Sequence, residues 1–221
     1  MNLVAVSPTL CVPPPDWAPH HRVTGFLALP DTTQEAVPDE VEAFLRDGPP
    51  PVFMGFGSLM PRDRALLEET VATFRQAAAR AGCRAIVHVP PGSPVTEGRD
   101  GHTLVIGRVS HAALFPRCVA IVHHGGAGTT QTVLRVGVPS IVVPHVADQF
   151  FWAEELARIG VAPKPLPRRR LNARALASRL RVVLGNERMS ARAREFAARI
   201  APEDGVNSAA DLIEGVARGG A

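Results

Sequence analysis

Cysteine is scarce. Cys11, Cys83 and Cys118 are the three in 221 residues, and no two form a C-x-x-C pair. That argues against a disulfide framework and for small core residues in a reducing cytosol. No run of about 18 apolar residues occurs, so no transmembrane span is expected. Met1-Asn2-Leu3-Val4-Ala5-Val6 is too short for a secretion signal and lacks its basic start. These absences together give a cytoplasmic expectation. Acids are missing from one stretch: residues 158–199 hold twelve of the 24 Lys and Arg but only Glu187 and Glu195. Such a surface is commonly a solvated helix face, and weak contact with an anionic membrane surface is its second use. Aromatics make up 5% of the chain and do not interleave with these arginines, so nucleic acid is not an expected partner. His123 and His124 are adjacent, yet neighbours at a strand end point apart and no third ligand stands at a recognisable spacing. No metal site is expected.

What is present is a hydrophobic content of 46%, a charged content of 20% and a net charge of +3, ordinary for a globular chain. The length allows one ample domain of ~150 residues plus extensions. From Pro51 onward, strand and helix patterns alternate, the signature of parallel βαβ units. Apolar runs over 52–56, 85–89, 103–106, 119–122 and 140–143 predict buried strands. Leu67, Val71, Phe74, Ala78 and Ala81 recur at helical spacing, and Gly82 ends that helix. Further helices are expected after Thr129, after Gln149, from Asn172, over 187–200 and over 207–217. Leu3 to Ser7 reads as a short strand, and Pro8, Pro13, Pro14, Pro15 and Pro19 then exclude regular structure. Three parts follow: a strand remnant and linker at 1–48, a ligand-binding domain at 49–200 and a C-terminal helix at 201–221. The fold class is α/β, a Rossmann-like parallel sheet flanked by helices.

The most informative segment is Val122-His123-His124-Gly125-Gly126-Ala127-Gly128-Thr129-Thr130, which leaves a strand and enters a helix. Its small residues let a ligand approach the backbone, and the helix start offers unpaired N–H groups with a partial positive charge. Phosphate is the natural occupant. A turn of this kind is also used for tight packing alone. The order is neither the G-x-G-x-x-G of a dinucleotide loop after a first strand nor a P-loop, since no Gly-Lys-Ser/Thr follows. Asp148-Gln149 follows the next strand, and Gly55-Phe56-Gly57-Ser58 follows the first strand of the domain. In open parallel sheets, ligands bind outside the carboxyl ends of strands, where Ser58, His111, His124 and Asp148 all fall. Asp148 suits either sugar hydroxyls or the N-cap of the helix at Gln149. Of Phe150, Phe151 and Trp152, at least two are expected in the core, because consecutive helical residues face different directions.

Taken in order from Val23-Thr24-Gly25 through these motifs, the chain resembles the C-terminal, donor-binding half of family-one nucleotide-sugar glycosyltransferases of the two-domain GT-B fold. It is most similar to their sterol-glucosyltransferase and glycopeptide-antibiotic branch. The resemblance implies that Ser58, His124, Gly125, Gly126, Gly128 and Thr129 bind the donor diphosphate. It assigns sugar hydroxyls to Asp148 and Gln149, and base and ribose to Arg108, Val109, His111 and Thr132. Relatives have Trp where this chain has Arg108, Gln where it has His111, and a ribose-binding Glu where it has Thr132. The implied activity is inverting transfer of a hexose, glucose from UDP-glucose, onto a hydroxyl of a lipophilic acceptor such as a sterol or antibiotic aglycone. UDP-sugar or TDP-sugar is the donor, and neither cofactor nor metal is required. The acceptor pocket and general base belong, by the resemblance, to an N-terminal domain absent here, so the chain alone is expected to be inactive and catalytic residues are not assigned. Self-association through apolar surface near the linker and last helix is a further expectation. The alternatives are a non-catalytic donor-binding subunit of a split transferase and a GT-B sugar-nucleotide epimerase.

Overall fold

The computed structural model describes residues 1–28 and 36–219, so positions 29–35 of the expected linker and the last two residues lie outside the described residues. Strand β1 (Asn2–Val4) pairs in parallel with β2 (His21–Val23), and the proline-rich stretch runs between them without regular structure. Helix α1 (Asp39–Arg46) then leads into β3 (Val52–Met54), α2 (Arg64–Ala81), β4 (Ala85–His88), β5 (Gly98–Asp100), β6 (Thr103–Ile106), α3 (His111–Leu114) and β7 (Ala120–His123). The remainder is α4 (Ala127–Val136), β8 (Ser140–Val142), α5 (Gln149–Arg158), α6 (Ala173–Leu184), α7 (Glu187–Ile200) and α8 (Gly205–Ala217). The helix ends carry the signals expected of them. Asp63 and Asn172 accept the N–H of Leu66 and Ala175 at 3.0 and 2.9 Å, and Gly82 closes α2 at φ +68.

The main sheet has the order β5-β6-β4-β3-β7-β8 and is parallel except for the edge strand β5. Alternation along β3 sends Val52 and Met54 to one layer and Phe53 to the other. On the first face Leu67, Phe74 and Leu180 from α2 and α6 meet Val52, Met54 and Val87. On the second, Phe53, Ile86 and Leu104 pack beneath Val41 and Phe44 of α1, Phe115 just after α3, and Val133 of α4. Helix α1 lies within the stretch read from the sequence as linker, and it packs on the core of the domain. Three acids in its first turn favour the helix dipole, and Val41 and Phe44 are the buried pair.

A third cluster joins the N-terminal segment to the rest: Val6 and Leu10 pack with Trp152 and Leu156 of α5 and Phe196 of α7. Hydrogen bonds hold it there. Gln131 Oε1 accepts from Ser7 N at 2.7 Å, and Glu203 Oε1 accepts from Ser7 Oγ at 2.8 Å. A methyl group on Gly25 would stand 2.9 Å from Gly205 Cα, so chain start and last helix touch through two glycines.

The connectivity decides where a ligand fits. From β3 the chain crosses outward to β4 and β6, then returns to lay β7 against the other side of β3. Helix α2 leaves β3 for one face and α4 leaves β7 for the other. The loops at the carboxyl ends of β3 and β7 therefore diverge and leave a crevice at the switch point of the sheet.

Candidate donor site at the carboxyl ends of the strands

His124 is the first residue after β7, and its ring is seated between two glycine turns. A methyl group on Gly57, the residue of the β3 loop at φ +56, would lie 3.6 Å from its Cε1, and one on Gly126 only 2.5 Å from its Nε2. These clearances bring the first-strand motif and the glycine motif to one point. Burial lowers the pKa of His124, opposed by the nearby Asp148 carboxylate. The ring is therefore a neutral imidazole with one N–H to give at neutral pH. Its Nδ1 is buried without a partner among the described residues.

Helix α4 starts behind it at Gly126, which offers no side-chain cap. The N–H groups of Ala127, Gly128 and Thr129 precede the first intrahelical bond, Thr130 N to Gly126 O at 2.9 Å, and are free to meet an anion. A methyl on Gly128 would meet nothing within 4 Å, so the space in front of this turn is open. Ser58 is exposed in the turn Gly57–Leu59.

His123 does different work. Its ring is fully buried, accepts the Gly125 N–H on Nδ1 at 3.1 Å and meets Ser140 Oγ through Nε2 at 3.1 Å. Burial drives its pKa down to about 3, so it stays neutral and locks the turn at Gly125, whose φ is +88.

Asp148 is exposed and does not cap α5 with its side chain. Its Oδ2 accepts from Trp152 Nε1 at 2.9 Å, one turn along the same helix. Gln149 is buried, and its Oε1 accepts the N–H of His145 at 2.8 Å and of Val146 at 3.1 Å. Only its amide nitrogen is left to reach a ligand. Of the aromatic trio, Trp152 alone is buried, with Phe150 40% and Phe151 50% exposed. The expectation of two in the core fails because the buried face of α5 is Gln149, Trp152, Ala153 and Leu156, which turns Phe150 and Phe151 away from it.

On the far side of the crevice, Arg108 is exposed and Val109 half-buried. The His111 ring stacks on Phe115 at 4.4 Å and meets the edge of Phe53 at 5.4 Å, and burial pushes its pKa to about 4. Thr132 turns its hydroxyl back to Gly128 O at 2.9 Å. A cavity of about 800 Å³ opens beside Thr132, walled by Phe26, Ala112, Arg135, Asp204 and Asn207.

Two groups in the crevice were not anticipated from the sequence. His145 follows β8, gives Nδ1–H to Val143 O at 2.8 Å and lies edge-on to Phe56 at 4.7 Å. Arg168 donates to Thr70 Oγ1 at 3.1 Å with its guanidinium 5.8 Å above the Phe56 ring. The position of His145 directly after a strand and a Pro144 turn was the available signal. Among the described residues there is no group of three metal-ligating side chains, and no helix is long and apolar enough to cross a membrane. Leu27, Ile213 and Val216 expose apolar surface near the linker and last helix.

Comparison with known proteins agrees with this architecture. Residues 100–211 match the family model described as the C-terminal domain of erythromycin biosynthesis protein CIII-like proteins. The chain is 39% identical over 214 residues to O-mycaminosyltylonolide 6-deoxyallosyltransferase of Streptomyces fradiae, covering 96% of this chain and 49% of that protein. It is 34% identical over 213 residues to a sterol 3-beta-glucosyltransferase of Arabidopsis thaliana, covering 94% of this chain and 33% of the relative. The chain thus spans between a third and a half of the length of these relatives. Among solved structures, the glycotransferase of kitacinnamycin superposes with a TM-score of 0.75 at 21% identity, over 96% of this chain and 54% of the other. The glycosyltransferase VinC in complex with DTDP gives 0.73 at 24% identity, over 98% and 52%.

Proposed function

The chain belongs to the erythromycin biosynthesis protein CIII-like C-terminal domain family, the sugar-donor domain of family-one glycosyltransferases, and on that premise we propose that it binds the nucleotide sugar for an inverting hexosyl transfer. One observation carries the proposal. At the switch point between β3 and β7, a neutral imidazole lies between two glycine turns, directly before a helix start with unspent N–H groups.

In this proposal the donor diphosphate lies against Ser58, His124, Gly125, Gly126, Gly128 and Thr129. The hexose faces Asp148 and the amide nitrogen of Gln149. The base runs toward Arg108, Val109 and His111, with the ribose near Thr132. The sugar is glucose, by analogy with the sterol 3-beta-glucosyltransferase, and the proposed donor is UDP-glucose, as the family resemblance implies. A thymidine-diphosphate sugar is the competing donor, by analogy with VinC and its bound nucleotide. A hydroxyl oxygen of a lipophilic acceptor, a sterol or antibiotic aglycone, bonds to the anomeric carbon while the bond from that carbon to the diphosphate oxygen breaks. The charge that builds on the leaving diphosphate meets fixed N–H donors, so the proposal requires no metal. The acceptor proton goes to a base in the part of the relatives' length that this chain does not span, supplied in the same polypeptide or by a partner.

Calorimetry with UDP and dTDP, each with and without chelator, tests the site. Binding of at least one in chelator is expected. No binding of either would remove the donor-site reading, and binding lost only in chelator would remove the metal-free one. Transfer from UDP-glucose and dTDP-glucose to a sterol and macrolide panel, with and without an acceptor half supplied, then tests the reaction. Robust turnover by the chain alone would show that the missing base lies within it.

A further inference from the structure

Gly107 directly follows β6 and opens the turn that carries Arg108 and Val109 to His111. Its N–H donates to Glu97 Oε2 at 2.8 Å. Glu97 precedes β5, the antiparallel edge strand in which Gly98 pairs with Val105, and this hairpin folds the carboxylate back over the end of β6. The two residues fit closely. A methyl group on Gly107 would lie 2.5 Å from Glu97 Oε1 and 3.0 Å from its carboxyl carbon. Gly107 does not adopt the left-handed conformation, so its backbone would accept alanine. What the position requires is clearance for the carboxylate.

The neighbouring strand closes the arrangement. His88, at the end of β4, feels the Glu97 carboxylate and the Gly107 backbone, and its ring lies 6.1 Å from that of His111. The turn between Gly107 and α3 is thus held at its first peptide by one exposed side chain just before the edge strand, and a carboxylate makes a stronger bond to an N–H than a neutral acceptor does. The edge strand itself carries no apolar residue: Val95 just before it packs on the core, and ion pairs from Arg99 to Asp47 and from Arg75 to Asp100 hold the strand, while Glu97 reaches the Gly107 peptide. The turn also stands at a telling distance from the glycine motif. Strand β6 is three strand spacings from β7, about 14 Å along the sheet. A nucleotide whose diphosphate sits at α4 and whose base extends across the strand ends comes up against this turn.

We propose that Glu97 is a positioning residue for nucleobase recognition: it holds the Gly107 peptide and so sets the course of the turn that presents Arg108 and Val109 to the base. This rests on the donor-site reading above. Clearance at Gly107 and the carboxylate of Glu97 act as one unit, which makes the proposal separable from a general loss of stability.

The test uses the chain as it stands, with UDP, dTDP and inorganic pyrophosphate as probes in calorimetry, and amide hydrogen exchange across 107–110. Glu97→Ala should weaken both nucleotides roughly tenfold, leave pyrophosphate within about twofold and speed exchange in the turn. Gly107→Ala should do the same by displacing the carboxylate. The two changes together should be no worse than either alone, because alanine at 107 has room once the carboxylate is gone. Glu97→Gln, which keeps an acceptor, should restore most of the affinity. Unchanged nucleotide affinity in Glu97→Ala, equal loss of pyrophosphate, multiplying effects in the double variant, or unaltered exchange would each overturn the proposal. If the unmodified chain bound pyrophosphate but neither nucleotide, the donor-site reading itself would fall, whatever Glu97 does to the turn.

Discussion

Adjacent glycines in the 124–129 segment should respond to the same substitution in opposite ways. Gly126 has φ −63 and ψ 143, a conformation alanine adopts freely, and it occupies the N-cap of α4. Replacing glycine by alanine at an N-cap costs about 0.5–1 kcal/mol. The added methyl, however, would stand 2.5 Å from His124 Nε2, so the imidazole must leave its seat. If that imidazole gives a hydrogen bond to a phosphate oxygen, its displacement should cost ~1.5–3 kcal/mol of binding, about 10–150-fold in Kd. Gly125 is the reverse case. Its φ of +88 is left-handed, and a methyl there would meet Val142 Cγ1 at 2.8 Å and the Gln149 carbonyl oxygen at 3.1 Å. Left-handed strain of roughly 1–2 kcal/mol and overpacking of roughly 1–3 kcal/mol give a stability loss of about 2–5 kcal/mol. For a chain of this size that lowers Tm by roughly 4–20 °C, against roughly 1–4 °C for Gly126→Ala. Thermal unfolding of both variants, followed by calorimetry with UDP and dTDP, separates the two. The reasoning fails if Gly126→Ala binds nucleotide as the unmodified chain does, or if it unfolds as early as Gly125→Ala.

Removing the imidazole altogether, His124→Ala, should weaken nucleoside diphosphate binding by ~1.5–3 kcal/mol. Adding Gly126→Ala to it should then change little, and a further tenfold loss would show that the methyl acts elsewhere. Asp148→Ala should reduce affinity for the nucleotide sugar in calorimetry while sparing the free diphosphate, with a stability cost of about 1 kcal/mol from the lost Trp152 bond. Equal loss for both ligands would leave Asp148 a structural role only. Gln149→Leu should cost about 1–2 kcal/mol in denaturant unfolding, because the part-buried N–H groups of His145 and Val146 lose their acceptor. An unchanged midpoint would refute that account. Stability should also fall with acid before the carboxylates titrate. His123 and His111 stay neutral in the fold down to about 3 and about 4, whereas in the unfolded chain they protonate near 6.5. The unfolded state therefore binds more protons below pH 6.5, so stability is full above that value and is lost as pH falls toward the folded values, by up to about 1.4 kcal/mol per unit for each ring. A Tm that stays level from pH 7 to 4.5 would contradict this.

The parts of the fold that were legible are those whose signal is local. The five apolar runs became the five parallel strands because each is buried on both faces, which leaves an unbroken hydrophobic stretch in the chain. Helix α7 coincides with its expected span because its periodic apolar residues and the Asn186 cap, which accepts Met189 N–H, lie within it. Strand β5 offers only Gly, Arg and Asp, and exists through pairing with β6, so no pattern could announce it. Helix α1 is eight residues with two buried side chains, and it earns its place only because Phe53, Ile86 and Leu104 need cover.

The candidate site divides in the same way. The glycine motif is visible because small residues at fixed spacing are what a close ligand and a crowded imidazole both demand of the backbone. Gln149 was visible as a polar group at a strand end, but which of its atoms remain free depends on the loop folding back so that His145 and Val146 claim its oxygen. Arg168 and Glu97 carry no spacing rule, and His145 only its place after a strand and a proline turn, since the three come from separate connections. What gathers them is the sheet order: once β7 returns beside β3, every loop leaving a carboxyl end near that reversal is brought toward one crevice, and ordinary polar residues on those loops acquire neighbours that their sequence positions do not reveal.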